Sequence, residues 1–200
     1  MVKYIFVKIY QNLADVIGLL DAGKVGVIPT DTVYGLVARA ADEQAVARLY
    51  ALKSREQKPG TIIAASVEQL VELGLKHRYM KPVEHYWPNS LSVIIPSEGL
   101  IHLHQGKYSL AVRIPANKLI QDFLAQTGPL LTSSANHAGE PTSVTVAQAQ
   151  GYFNNEVDFY VDGGDLSGHK SSTIIRVVDD AIEVLREGAV TINEKGEITP

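Results

Sequence analysis

Lys53 and Arg55 stand two residues apart, and Ser133, Ser134 and Asn136 fall within the single string SSAN. Two cations can neutralise phosphate oxygens, and short hydroxyl and amide groups let backbone and side chains approach them closely. Brought together by the fold, these residues would make an anion site suited to a nucleoside triphosphate. A third string, PTDTVYGL at 29–36, runs from an apolar stretch into a polar corner where Thr32 can donate to a ligand. Taken singly, each string also has a structural reading. A Lys-x-Arg pair at a helix end complements the helix dipole. SSAN makes an ordinary turn, and Thr32 can satisfy its own backbone.

Arg113 lies near the end of the apolar string SLAVRIP at 109–115. A cation there needs a partner, because buried charge is costly. A structural carboxylate and a ligand carboxylate serve equally well. STII at 172–175 and LREG at 185–188 are two more apolar strings with polar tips. Ligands gather at strand ends in open α/β sheets, so this recurrence of Thr, Ser and Arg points to one shared site. His102 and His104 alternate, but with no cysteine or acidic cluster beside them they read as a solvated loop, not metal ligands. DGGD at 162–165 reads as a turn, and Trp87-Pro88 as a packing anchor. The chain has neither a Gly-x-x-x-x-Gly-Lys-Ser/Thr loop nor a Gly-x-Gly-x-x-Gly fingerprint, so a nucleotide would be held without either cradle.

The elements that must position these groups follow from periodicity. On a continuing helix Lys53 and Arg55 would diverge by about 200°, so the helix must end near Lys53, and Pro59 and Gly60 support such an ending. Asp42 caps that helix, with Ala45, Leu49 and Leu52 toward the core. Asn12 caps an earlier helix whose apolar face is Leu13, Val16, Ile17 and Leu20. Strands are predicted at 1–10, 25–29, 61–65, 91–95, 109–114, 129–132, 157–161, 173–178 and 182–185. A helix is predicted at 118–126. Ser66/Gln69 and Thr145/Gln148 have capping-box spacing. This alternation predicts an α/β fold, a twisted, open sheet of mixed direction with flanking helices. One domain is expected over 1–192, with a frayed polar tail at 193–200.

The bulk numbers fit that reading. Two hundred residues with 46% hydrophobic and 20% charged content suit a globular domain with one substantial core. No apolar run approaches the roughly 20 residues of a membrane helix, and the N-terminus does not read as a signal peptide. Cysteine is absent, which excludes disulfides, thiolate metal sites and a cysteine nucleophile and agrees with a cytoplasmic setting. A net charge of −4 argues against a broadly basic nucleic-acid coat but leaves room for a local basic cleft.

In combination, residues 29–36, Lys53 with Arg55, 109–115, 134–136, 172–174 and 185–188 resemble the YrdC/Sua5 family of threonylcarbamoyl-AMP synthases, in the short form without the extra C-terminal domain. The resemblance implies a YrdC-like sheet around a deep, basic cavity. It implies formation of threonylcarbamoyl-adenylate and pyrophosphate from L-threonine, bicarbonate and ATP with Mg²⁺, without a protein metal site. The product would feed threonylcarbamoylation of adenosine 37 in tRNA through a downstream transferase complex. By the same resemblance Lys53, Arg55, Ser134 and Asn136 form the catalytic cluster. Arg55, Ser109, Ser134, Thr142 and Arg186 hold ATP, and Thr32, Arg113, Thr132 and Ser172 hold threonine.

The chain departs from the family's usual residues at Glu56, Pro59, Asn89-Ser90 and Arg176, and these departures are expected partly on the nucleotide side. The loop at 54–60 is expected to close over substrate. The alternatives are a non-catalytic RNA-binding or ribosome-maturation relative, with weak RNA binding, and carbamoyl-adenylate formation on another amine.

Overall fold

The computed structural model describes residues 7–53, 58–178, 181–193 and 196–199. In chain order the strands are β1 (Ile9–Tyr10), β2 (Gly26–Pro29), β3 (Tyr34–Arg39), β4 (Thr61–Ile63), β5 (Leu91–Pro96), β6 (Ser109–Arg113), β7 (Leu130–Ser134), β8 (Phe159–Val161), β9 (Thr173–Val178), β10 (Ala181–Arg186), β11 (Thr191–Ile192) and β12 (Ile198–Thr199). The helices are α1 (Ile17–Asp21), α2 (Glu43–Lys53), α3 (Val67–Leu73), α4 (His77–Met80), α5 (Ile101–His104), α6 (Lys118–Thr127) and α7 (Val146–Phe153). β1 to β10 form one mixed sheet in the order β1-β8-β2-β3-β7-β4-β6-β5-β9-β10. The pairings β1/β8, β2/β8, β4/β6 and β5/β9 are parallel and the others antiparallel. No helix among the described residues is long and apolar enough to cross a membrane.

Successive strand residues point to opposite faces, and the core divides accordingly. Val27, Leu36, Ile62, Leu131 and Tyr160 join the larger cluster, which includes Leu49 and Tyr50 of α2 and Phe153 of α7. Their neighbours Ile28, Val37, Ile63, Leu130 and Phe159 join the smaller one, with Leu20 of α1 and Ile120, Phe123 and Leu124 of α6. Both faces are therefore covered, which explains why the central strands read as continuous apolar runs.

The helix signals act locally as expected, with adjustments. Asp42 Oδ1 accepts from the Gln44 and Ala45 amides at the start of α2. Ser66 and Thr145 accept from the Gln69 and Gln148 amides. The two glutamines reach one residue further back than a capping box requires, to the Ala65 and Val144 amides. Asn12 makes no side-chain cap bond, and Leu13–Val16 is a 3₁₀ turn that leads into α1.

Four expectations are corrected. Tyr34–Arg39 is a buried strand, not merely a corner. Leu52 is only partly buried, and the side chain that α2 buries at its end is Lys53. Residues 101–104 form a helical turn rather than a solvated loop. Tyr50 Oη donates to the Leu103 carbonyl at 2.6 Å, His102 Nε2 lies 2.9 Å from the Ala40 carbonyl oxygen, and His104 is 1% exposed. Ile198–Thr199 pairs antiparallel with Thr191–Ile192, so this part of the C-terminus is not frayed.

Candidate active site

A cavity of about 540 Å³ opens along the sheet where β3, β7, β4, β6, β5 and β9 run side by side. Its wall carries Lys58, Lys107, Arg113, Arg176 and Arg186, and no Asp or Glu is among the described lining residues. Of the residues expected in the site, Thr32, Ser109, Arg113, Thr132, Ser134, Ser172 and Arg186 line it together. Thr142 does not line it, and Lys53 and Asn136 lie beneath its wall. Arg55 and Glu56, with most of the loop expected to close, lie outside the described residues.

β3 and β7 build one side of this cavity. They pair Gly35 with Ser134 and Val37 with Thr132. A Cβ on Gly35 would stand 2.5 Å from Thr132 Oγ1, so glycine is what admits that hydroxyl to the wall. At the start of β3, Thr30 Oγ1 donates to the Val33 carbonyl at 2.7 Å and accepts from the Thr32 amide at 3.2 Å. That turn fixes Thr32, whose hydroxyl is 3.1 Å from that of Thr30.

The SSAN turn is organised from below. Lys53, only 1% exposed, donates from Nζ to the Ser134 carbonyl at 2.7 Å, to the Asn136 carbonyl, and to Asn136 Oδ1 at 3.2 Å. Ser134 Oγ donates to the same Oδ1 at 2.6 Å, and Asn136 Nδ2 donates to the His137 and Glu140 carbonyls. A buried ammonium is tolerated only when it is richly hydrogen-bonded. Lys53 therefore shapes the turn that presents Ser134, a role the sequence did not separate from phosphate binding.

Arg113 and Asp31 form a buried ion pair, Nη2 to Oδ1 at 3.1 Å with both side chains 4% exposed. Burial pushes the Arg113 guanidinium below the ordinary arginine range, and the Asp31 carboxylate opposes that shift. Arg113 Nε has no hydrogen-bond partner among the described residues. The structural carboxylate is thus present, Asp31 Oδ1 also lacks a hydrogen-bond partner among the described residues, and the guanidinium keeps donors for a ligand.

Further along the wall, Arg186 donates from Nε and Nη2 to the Ser172 carbonyl at 3.0 and 2.7 Å, and from Nη2 to Ser172 Oγ at 3.0 Å. Ser92 Oγ lies 3.0 Å from the same hydroxyl. Gly188 lets the chain fold back here, because a Cβ on it would meet the Ser171 carbonyl oxygen at 2.2 Å.

Lys107, Thr30 and Ser171 line the cavity without having been singled out, and Arg176 does so from a position noted only as a departure. A signal for two of them was available. Residues 107, 109, 111 and 113 share one face of β6 and its approach, and 172, 174 and 176 share one face of β9, by the two-residue period of a strand. Arg176 also pairs across the ladder with Glu183, Nη2 to Oε2 at 2.6 Å. Asn89-Ser90 sits between the end of β6 and the start of β9, beside Arg113 and one residue from the Ser172 that Arg186 holds. Ser90 Oγ donates to Asp31 Oδ2 at 2.9 Å.

Known proteins carry the same architecture and sequence pattern. Residues 18–188 match the Sua5/YciO/YrdC family model, whose description reads "Telomere recombination". A Pseudomonas aeruginosa threonylcarbamoyl-AMP synthase is 36% identical over 159 residues, covering 77% of this chain and 85% of that protein. The crystal structure of Pyrococcus abyssi Sua5 complexed with L-threonine superposes with a TM-score of 0.81 at 27% identity, over 92% of this chain. This chain spans 58% of that Sua5 chain. Escherichia coli YciO, at 21% identity and a TM-score of 0.77, shares the fold over 91% of this chain and 96% of its own. The family match over most of the chain, joined to a shared fold and a substantially identical relative, shows that this chain belongs to the Sua5/YciO/YrdC family.

Proposed function

We propose that this protein is a threonylcarbamoyl-AMP synthase, making threonylcarbamoyl-adenylate and pyrophosphate from L-threonine, bicarbonate and ATP. The observation that carries the proposal is the shared cavity. Residues suited to an amino acid (Thr32, Arg113, Thr132, Ser172) and residues suited to a nucleotide (Ser109, Ser134, Arg186) line the same space. Its volume is within the range of small-molecule sites.

In this reading the Arg113 Nε–H donates to the threonine carboxylate, and the surrounding hydroxyls select the β-hydroxyl and hold the amine toward the nucleotide. The amine captures carbon dioxide derived from bicarbonate to give a carbamate, with loss of water. A carbamate oxygen then attacks the α-phosphorus of ATP, and pyrophosphate leaves. No protein nucleophile is needed, so positioning and charge stabilisation dominate. Mg²⁺ enters with ATP as part of the substrate. Arg186 and Ser134 face the phosphates, and Lys58, Lys107 and Arg176 add positive charge along the same wall. Arg55 and Thr142 belong to this nucleotide set by family resemblance, Thr142 from outside the cavity lining. The adenylate passes to a transferase complex that modifies tRNA in the cytoplasm, and weak RNA contact accompanies that hand-over. Residues 1–192 act as one domain.

Pyrophosphate release is the test. With ATP, Mg²⁺ and bicarbonate, release should rise at least tenfold on adding L-threonine, the effect of a substrate that supplies the attacking group. Release indifferent to threonine or bicarbonate would refute the proposal.

A further inference from the structure

The junction between α4 and β5 touches three of the segments that build the proposed threonine end of the cavity: the end of β6, the start of β9 and the corner between β2 and β3. The Asn89 amide donates to the Ile114 carbonyl at 2.9 Å, just past Arg113 on β6. The Ser90 carbonyl accepts from the Thr173 amide at 3.1 Å, next to Ser172 at the start of β9. Ser90 Oγ donates at 2.9 Å to Asp31 Oδ2, in the corner between β2 and β3. The Ser90 amide donates to Asn89 Oδ1 at 2.9 Å, which stiffens the junction itself.

Asp31 therefore has its two carboxylate oxygens divided between two tasks. Oδ2 accepts from Ser90, and Oδ1 faces Arg113 Nη2 at 3.1 Å. A buried carboxylate with one oxygen unheld can rotate about its terminal torsion, which is broad and nearly two-fold. With Oδ2 held it cannot rotate without losing a charge-assisted bond. Arg113 is joined to Asp31 by charge at 3.1 Å, and neither its Nε nor Asp31 Oδ1 has a hydrogen-bond partner among the described residues. The orientation of Nε–H thus depends on a chain that begins at the Ser90 hydroxyl. Catalytic geometry tolerates only about 0.5 Å of looseness in such supports.

We propose that Ser90 is a positioning residue, and that its hydroxyl sets, through Asp31, the angle at which Arg113 meets the carboxylate of an amino-acid substrate. This rests on the synthase reading for the identity of that substrate. Ser90 touches no substrate, so its loss should weaken carboxylate recognition selectively.

The test has two independent readouts on wild type, Ser90→Ala and Ser90→Thr. The first is KM for threonine and for ATP in the pyrophosphate assay. Ser90→Ala should raise the threonine KM about five- to tenfold, as expected for a lost charge-assisted hydrogen bond acting at one remove. The ATP KM should stay within about twofold, the scatter expected where no contact with the nucleotide changes. Ser90→Thr, which keeps the hydroxyl, should restore the wild-type value. The second readout is solvent exchange of the Arg113 Nε proton by NMR, assigned by its disappearance in Arg113→Lys. Exchange should be slow in wild type and Ser90→Thr, and faster in Ser90→Ala, with or without substrate.

An unchanged threonine KM and unchanged exchange in Ser90→Ala would overturn the proposal and leave the synthase reading standing. Equal rises in both KM values would also overturn it, because they would mark a general loss of structure. If wild type showed no threonine-dependent turnover but Ser90→Ala still freed the Nε proton, the Ser90–Asp31–Arg113 chain would stand and the synthase reading would fall.

Discussion

Asp31→Ala should destabilise the protein by about 3–5 kcal/mol, the range for removing one partner of a buried ion pair. The size follows from burial. Arg113 and Asp31 are 4% exposed each, so Arg113 would be left as a largely desolvated charge without its carboxylate. Ser90 would lose its acceptor as well. Urea unfolding read as a shift in midpoint at constant slope measures the effect. The double variant Asp31→Ala/Arg113→Met should recover much of the loss, because removing both charges also removes the desolvation penalty. It should not recover threonine-dependent turnover. Stability and activity would then separate, and a double variant as unstable as the single one would contradict this account of the pair.

Lys53→Met should lower stability by about 2–4 kcal/mol, because each buried acceptor left without its donor costs about 1–3 kcal/mol and partial relaxation recovers some. Turnover should fall by at least about 100-fold, the penalty for misplacing positioning groups by roughly an ångström. The two roles open to this lysine make opposite forecasts. A buried phosphate ligand with no structural task would be a liability in the free protein, and methionine of similar length would leave stability unchanged or improve it. A lysine that holds the Ser134 and Asn136 carbonyls and Asn136 Oδ1 is part of the fold. The unfolding midpoint of Lys53→Met decides between them, independently of any substrate.

The sequence made the scaffold more legible than the wiring of the site, and particular residues show why. Asp42, Ser66 and Thr145 are local signals that act on amides two or three residues away, so a linear reading finds them. Strand β3 escaped notice because Tyr34–Arg39 is almost wholly buried on both faces and shows no alternation. Lys53 was legible as a functional cation but not as a structural one, because its described partners include two backbone carbonyls in a distant turn. Asp31 as the partner of Arg113, and Ser90 as the partner of Asp31, depend on three elements meeting in space. Lys107 and Arg176 were within reach of the strand period, since Lys107 is two residues from Ser109 and Arg176 four from Ser172, both positions already placed at the site. Thr142 came from family resemblance alone, and it is the expected site residue in the described structure that neither lines the cavity nor lies beneath its wall.

The most direct measurement of the central claim is the fate of ¹³C-bicarbonate. Purified protein would be incubated with ATP, Mg²⁺, L-threonine and labelled bicarbonate, and the adenylate product analysed promptly by mass spectrometry. The account predicts one adenylate that contains threonine, AMP and a single labelled carbon, formed in step with pyrophosphate and absent when bicarbonate is omitted. An unlabelled threonyl-adenylate, or pyrophosphate release without a labelled adenylate, would contradict it, because the nucleophile would then not be the carbamate that the cavity is proposed to assemble.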